Sequence, residues 1–313
     1  MDPSAFMPNP MLGATLAFGA MLLFASCAII TATAMQRLDT SAGALIAALV
    51  NVPLGILLVL AQWLFFGSLR PPTATGVVGF LLAGVFSTYL GRWLFFKSIE
   101  TAGPTRASSF QTSSPIITAV LGWILLGQNL SPLAMLGIAL GVVGLATTSL
   151  GSRLSRKAPA PQTPSIDTRA FILIGLGSSA AYAVSQILRA SAIQTWNEPL
   201  AGVALGAAAG SMALVAVQRK ELAPLRRRIA AQPRAAGAYA GVGCLQVMAQ
   251  ALAIAALAHI PASIAALITM CTPLIVLPAS FLLFKNREGI GFSVILGMLI
   301  TLGGVGLTML HAH

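Results

Sequence analysis

The chain is written twice, at an offset of 158 residues, in apolar segments long enough to cross a bilayer. Phe24 and Ala25 stand opposite Tyr182 and Ala183, Pro115 opposite Pro273, and the run from Leu94 to Phe96 opposite Leu252 to Ile254. A two-residue insertion near Lys285 moves the offset to 160, so that Gln128 meets Glu288, Gly137 meets Gly297 and Gly144 meets Gly304. Internal duplication of a hydropathy pattern is a common build plan of secondary transporters. Soluble solenoids also repeat, but at periods of about 20–50 residues, and their helices keep a polar face.

Apolar residues make up 57% of the chain and charged residues 8%, with a mean hydropathy of +0.88. A soluble domain carries roughly 25% charged residues, so this chain cannot cover itself with a water-compatible surface. A spanning helix needs about 20 mostly apolar residues. Ten such stretches can be read, at roughly 11–35, 41–66, 75–98, 105–127, 132–150, 170–194, 199–218, 235–258, 262–284 and 290–310. Ten spans in 313 residues leave short loops and no room for a soluble domain. The fold class is an all-α membrane protein of ten transmembrane helices.

The net charge of +11 would suggest nucleic acid in a soluble protein, but its distribution points elsewhere. If loops alternate sides, 16 of the 18 Lys and Arg fall on one side, and only Arg70 and Arg189 on the other. The positive-inside rule puts the rich side in the cytoplasm. Both termini then face outward from an inner (plasma) membrane, and the Arg226 to Arg228 run is a topology signal beside anionic headgroups. The lipid bilayer is the expected partner, with no nucleic acid. Residues 1–10 carry no Lys or Arg and do not form a signal peptide. Cys27, Cys244 and Cys271 all fall within apolar segments, which suits packing rather than a disulfide framework; Cys27 and Cys271 are secondary cavity candidates.

The strongest break in composition is Gly151 to Thr168, a polar, Pro-rich and cationic stretch expected to be a cytoplasmic linker (residues 151–168). It separates a first half, residues 1–150, from a second, residues 169–313. Five spans per half force the second to enter the membrane with opposite orientation, giving two inverted five-helix repeats. A substrate site is then expected near mid-bilayer between them. Gly137, Gly141 and Gly144 in the fifth span, and Gly297, Gly303, Gly304 and Gly306 in the tenth, permit close helix approach. Packing within the chain is the first expectation for these residues, and a homodimer contact the second.

Ten helices in two inverted fives resemble the drug/metabolite transporter superfamily, specifically its EamA-type exporters. The likeness is carried by Pro115 to Ile117, Leu125 to Gln128, Gly137 and Gly144, and by Pro273 to Ile275, Glu288, Gly297 and Gly304. That family usually has glutamate at the positions of both Gln128 and Glu288, so the first half departs from its pattern. The resemblance implies that this side chain is structural, complementing a helix N-terminus. It further implies export of amino acids or related compounds.

Only seven acids occur, Asp2, Asp39, Glu100, Asp167, Glu198, Glu221 and Glu288, and none sits mid-span. Proton-coupled antiporters commonly titrate a carboxylate within the bilayer, so facilitated diffusion, exchange or coupling by another group fits this chain better. The costly polar groups are cationic or neutral. Arg92 and Arg189 either snorkel or pair with Glu100 or Glu198, or else one of them meets a substrate carboxylate or phosphate. Glutamines are awkward to satisfy in hydrocarbon, and Gln246 and Gln250 share a helix face. The substrate-binding candidates are therefore Arg92, Tyr182, Gln186, Gln246, Gln250, Tyr89 and Gln111. The matched Pro115 and Pro273 are candidate gating residues, since proline removes a helix hydrogen bond. Ser108 and Ser109 add polar positions to the fourth span, and Trp93 and Trp123 suit an interfacial belt. No hydrolase motif, metal cluster or cofactor fingerprint is present, so neither catalysis, metal nor cofactor is expected. The expected role is alternating-access transport of a small-molecule substrate. A carrier of phosphorylated, nucleotide-linked or lipid-linked substrates and a non-transporting receptor are the alternatives.

Overall fold

A computed structural model of the chain describes residues 9–67, 69–102, 110–128, 130–154, 168–284 and 292–310. Most of the expected linker, Ser108, Ser109 and Glu288 lie outside the described residues. Among those described there is no strand. The first helix, α1 (Pro10–Ala34), starts where Asn9 accepts a hydrogen bond from the Leu12 N–H at 3.1 Å, with Pro10 at its first position. The second, α2 (Thr40–Phe66), is capped by Asp39 and ends at Gly67, whose φ of 79° belongs to the left-handed region that glycine adopts without strain.

The third span is interrupted. It comprises α3 (Ala74–Gly84), a π-helical segment (Val85–Gly91) and α4 (Arg92–Ala102). The remainder of the first half is α5 (Ser114–Leu126) and α6 (Pro132–Leu154). The second half begins with α7 (Thr168–Thr195), α8 (Pro199–Val217), α9 (Arg219–Ala231) and α10 (Pro233–Ala256). It ends with α11 (Ala262–Met270), α12 (Pro273–Phe284) and α13 (Phe292–Leu310). Among the described residues, seven stretches are long and apolar enough to cross a membrane, and Ser114–Leu126, Pro132–Thr148 and Ala262–Val276 are apolar but shorter.

Pro115 and Pro273 do not kink continuous helices; they open new ones. Each follows a short turn, Thr112–Ser113 in one half and Cys271–Thr272 in the other. At the first turn the Ser113 N–H bonds the Phe110 carbonyl at 3.0 Å, and at the second the Cys271 N–H bonds the Ile268 carbonyl at 3.0 Å. A proline fits the first turn of a helix because its missing N–H would have no partner there.

Tertiary contacts fix how the halves meet. Asp39, just before α2, pairs with Arg228 of α9, which follows the end of α8. At the opposite end, Glu198, just before α8, accepts from the Arg70 backbone N–H at 3.0 Å and from Gln62 Nε2 at 2.6 Å. The Trp196 indole donates to the Arg70 carbonyl at 3.0 Å on the same side. Helices α2 and α8, equivalent in the two halves, therefore run in opposite directions. The packing pairs also exchange with the halves: α3 lies on α7 as α10 lies on α1, and α3 on α8 as α10 on α2.

Read from sequence as a basic loop, Arg219–Ala231 is instead the helix α9. Leu222 and the buried Leu225 hold it against Leu38, Leu45, Ile46 and Tyr239, while Arg226 and Arg227 are exposed. Arg228 bridges Asp39 at 3.3 Å and Glu221 at 3.1 Å. These exposed pairs contribute at most about 1 kcal/mol each.

Close packing of α6 on α13 closes the fold. A Cβ on Gly304 would stand 2.6 Å from the Gly137 carbonyl oxygen and 2.9 Å from the Gly141 Cα, inside any allowed contact. Gly144 and Gly297 face each other's helix in the same way, across Thr301 and Thr148. These glycines are thus used within the chain, while Gly303 and Gly306 face open space. Gly304→Val should destabilise the fold by about 1–3 kcal/mol, because backbone cannot yield as a flexible side chain can. Gly303→Ala should be neutral, and thermal unfolding in detergent distinguishes the two.

Candidate functional site

Hydrocarbon offers no partner to an open backbone carbonyl, so each interruption of a span must be closed by side chains. The π-helical segment and the break before α5 are both closed from α7. Ser185 Oγ donates to the Ala83 carbonyl at 2.9 Å and Ser178 Oγ to the Gly91 carbonyl at 2.9 Å. The Phe110 carbonyl accepts from Ser113 Oγ at 2.6 Å and from Ser179 Oγ. Gln111 Nε2 then donates to Ser178 Oγ at 2.7 Å, tying the two interruptions together. The serines of α7 thus serve in large part as backbone repair.

Around these interruptions lies a cavity of about 710 Å³, within the usual size of a small-molecule site. Its walls come from both halves: Phe24 and Ala28 of α1, Ser87, Thr88, Arg92 and Phe95 of the third span, Gln111, Thr112 and Ser114 around the start of α5, and Thr148 of α6. From the second half come Tyr182, Ser185, Gln186 and Arg189 of α7, Gln246, Gln250 and Ala253 of α10, and Ala266, Thr269, Met270, Thr272, Pro273 and Val276 across α11 and α12. Arg92, Tyr182, Gln186, Gln246, Gln250, Gln111 and Pro273 all line it. Tyr89 and Pro115 do not: Tyr89 belongs to the π-helical segment and Pro115 is buried at the start of α5. Cys27 and Cys271 are buried outside the lining, Lys97 is exposed, and Trp93 and Trp123 are exposed on the apolar surface.

Arg189 is the residue whose role only the structure reveals. Neither snorkelling nor pairing with Glu198, it is 9% exposed and lines the cavity. Its Nη1 donates to Gln250 Oε1 and its Nη2 to Ser87 Oγ at 2.9 Å. The signal was helical spacing: Tyr182, Gln186 and Arg189 fall at i, i+4 and i+7 on one face of α7. The positive charges of Arg92 and Arg189 both bear on the Tyr182 hydroxyl, that of Arg92 the more strongly. Among the described lining residues there are two arginines and no carboxylate. The site is therefore cationic, partly aromatic and rich in amides. Gln186 Oε1 is buried there without a hydrogen-bond partner among the described residues. Nor, among them, do three or more His, Cys, Asp or Glu gather to hold a metal.

Gln128 also differs from its expected place. Its Oε1 accepts from the Ala262 N–H at 3.3 Å, so it caps the start of α11 in the other half rather than its own helix.

The sequence model of the EamA-like transporter family matches residues 11–150 and again residues 169–310. The "Uncharacterized transporter YwfM" of Bacillus subtilis (strain 168) is 28% identical over 149 residues, covering 47% of this chain and 49% of its own length. The chain thus spans about half the length of that curated relative. A solved structure described as "Crystal structure of protein" has the same fold, with a TM-score of 0.71 over 97% of this chain and 99% of its own, at 14% identity.

Gln250→Leu should cost about 1–3 kcal/mol by leaving the buried Arg189 one acceptor short. Combined with Arg189→Met, most of that loss should vanish. A double-mutant cycle on unfolding in detergent measures the coupling, which is absent if the two side chains act independently.

Proposed function

The chain belongs to the EamA-like transporter family, and from that premise we propose that it moves small metabolites across the inner membrane by alternating access through the cavity. The observation that carries this reading is the cavity's composite wall, drawn from both halves of the duplicated chain. Ten spans are assigned as two inverted fives. Opposite directions of α2 and α8 support this, as does the exchange of packing pairs between halves. The basic side, including Arg219 to Arg228, faces the cytoplasm, which places the 151–168 linker inside and both termini outside. The family favours amino acids or their derivatives as substrates, and export as the direction.

The breaks before Pro115 and Pro273 are the natural hinges. Each carries a tight turn instead of a continuous helical ladder, so rocking one half against the other changes few hydrogen bonds there. Because no described lining residue is a carboxylate, flux is not driven by a proton taken up within the cavity. Phosphorylated substrates are the second reading, favoured by the two arginines of the lining.

Two measurements test the mechanism. With Cys27, Cys244 and Cys271 replaced, a Thr269→Cys variant should react with an impermeant thiol reagent from each side of the membrane, in right-side-out and inverted vesicles. Labelling from one side alone, with substrate present and absent, would sink alternating access. In proteoliposomes, imposing a pH gradient at constant substrate ionisation should change initial flux less than about twofold; strong acceleration would require a proton site beyond the described lining.

A further inference from the structure

Charge in the cavity is unbalanced, and that selects among the substrates of a transporter. Arg189 is buried, and its two partners are neutral acceptors, Gln250 and Ser87. A guanidinium carries five N–H donors in a planar fork, so donors remain for a further acceptor. Arg92 lines the same cavity, and its charge bears on Tyr182 as that of Arg189 does. The described acids are engaged elsewhere: Asp39 and Glu221 on Arg228, and Glu198 on Gln62 and Arg70. Glu100 stands eight residues beyond Arg92 in α4, about 12 Å further along the axis. A charge removed from water requires a counter-charge or an equivalent set of hydrogen bonds. Here that counter-charge can come from the cargo.

We propose that the cavity binds organic anions, with a substrate carboxylate or phosphate held between Arg92 and Arg189 and no ammonium group on the substrate. A zwitterionic amino acid would satisfy the arginines but bring a cation among them. The described lining offers that cation no carboxylate, and two guanidiniums would repel it. Oxo acids, N-acylated amino acids and aryl or alkyl phosphates match the site in charge. The buried Gln186 amide and Tyr182 supply the polar and aromatic contacts that position the remainder. This rests on the transport reading for its physiological meaning, although the binding site stands by itself.

The test uses the purified full chain, with binding measured by calorimetry in detergent and uptake in proteoliposomes. Five probes share one aromatic group: phenylpyruvate, N-acetylphenylalanine, phenyl phosphate, phenylalanine and phenethylamine. The acids or the phosphate ester should bind at least about tenfold more tightly than phenylalanine, and phenethylamine not measurably, as expected for hydrogen bonds to a charged group. Whichever anion binds best identifies the head group, carboxylate or phosphate. Arg92→Gln and Arg189→Gln should each weaken the anions by roughly 10- to 100-fold and leave phenylalanine nearly unchanged. Arg189→Lys, which keeps the charge, should restore part of the loss, and Arg92→Gln keeps the test alive if Arg189 variants do not fold. Equal binding of phenylalanine and the acids, or anion binding unchanged in both Gln variants, would overturn the proposal. Anion binding without flux of any probe would leave the clamp standing and defeat the transport reading. Phenylalanine flux without anion preference would do the reverse.

Discussion

A chain immersed in hydrocarbon has no water with which to satisfy an open carbonyl or a lone cation, and this one interrupts its helices in three described places. The π-helical segment and the break before Pro115 are closed by Ser178, Ser179 and Ser185 from a single helix, α7. The break before Pro273 closes locally, through the Thr272 hydroxyl on the Thr269 carbonyl at 2.7 Å. Irregular backbone is tolerated at membrane depth where it is buried in protein or lines a cavity, and here all three interruptions border the same cavity. The site exists because the helices are broken where they meet.

The same shortage of water governs the cations. Arg189 is held by an amide and a hydroxyl from two other helices, one from each half. It thereby links the third span, α7 and α10 at the level of the cavity. Away from it, Glu198 with Gln62 and Arg70 secures one end of the bundle, and Asp39 with Arg228 the other. Carboxylates hold the rims, while neutral acceptors hold the interior. That division leaves the interior positively charged.

Much of this was legible in the sequence. The duplication identified the halves, and low charge with high hydropathy identified the membrane. The i, i+4 pair Gln246 and Gln250, with Gln186 and Arg92, led to residues that do line the cavity. Tyr89 and Pro115 were not separable from them, because a residue in a polar span can face any neighbour until the neighbours are known. Helix α9 escaped because its charges dominate its composition, although Leu222 and Leu225 already carried its buried face. Gln128 was assigned to a helix N-terminus correctly in kind but not in identity: the helix it caps begins at Ala262, 134 residues away in sequence.

Sequence by itself determined the membrane class, the two halves, the family and the shortage of carboxylates, since each follows from composition or periodicity along one chain. Tertiary structure decided where the spans break, which glycines are consumed between α6 and α13, and that Arg189, Arg92 and Tyr182 share one cavity. Those depend on side chains up to hundreds of residues apart closing each other's unsatisfied groups, and no local pattern encodes which partner will arrive.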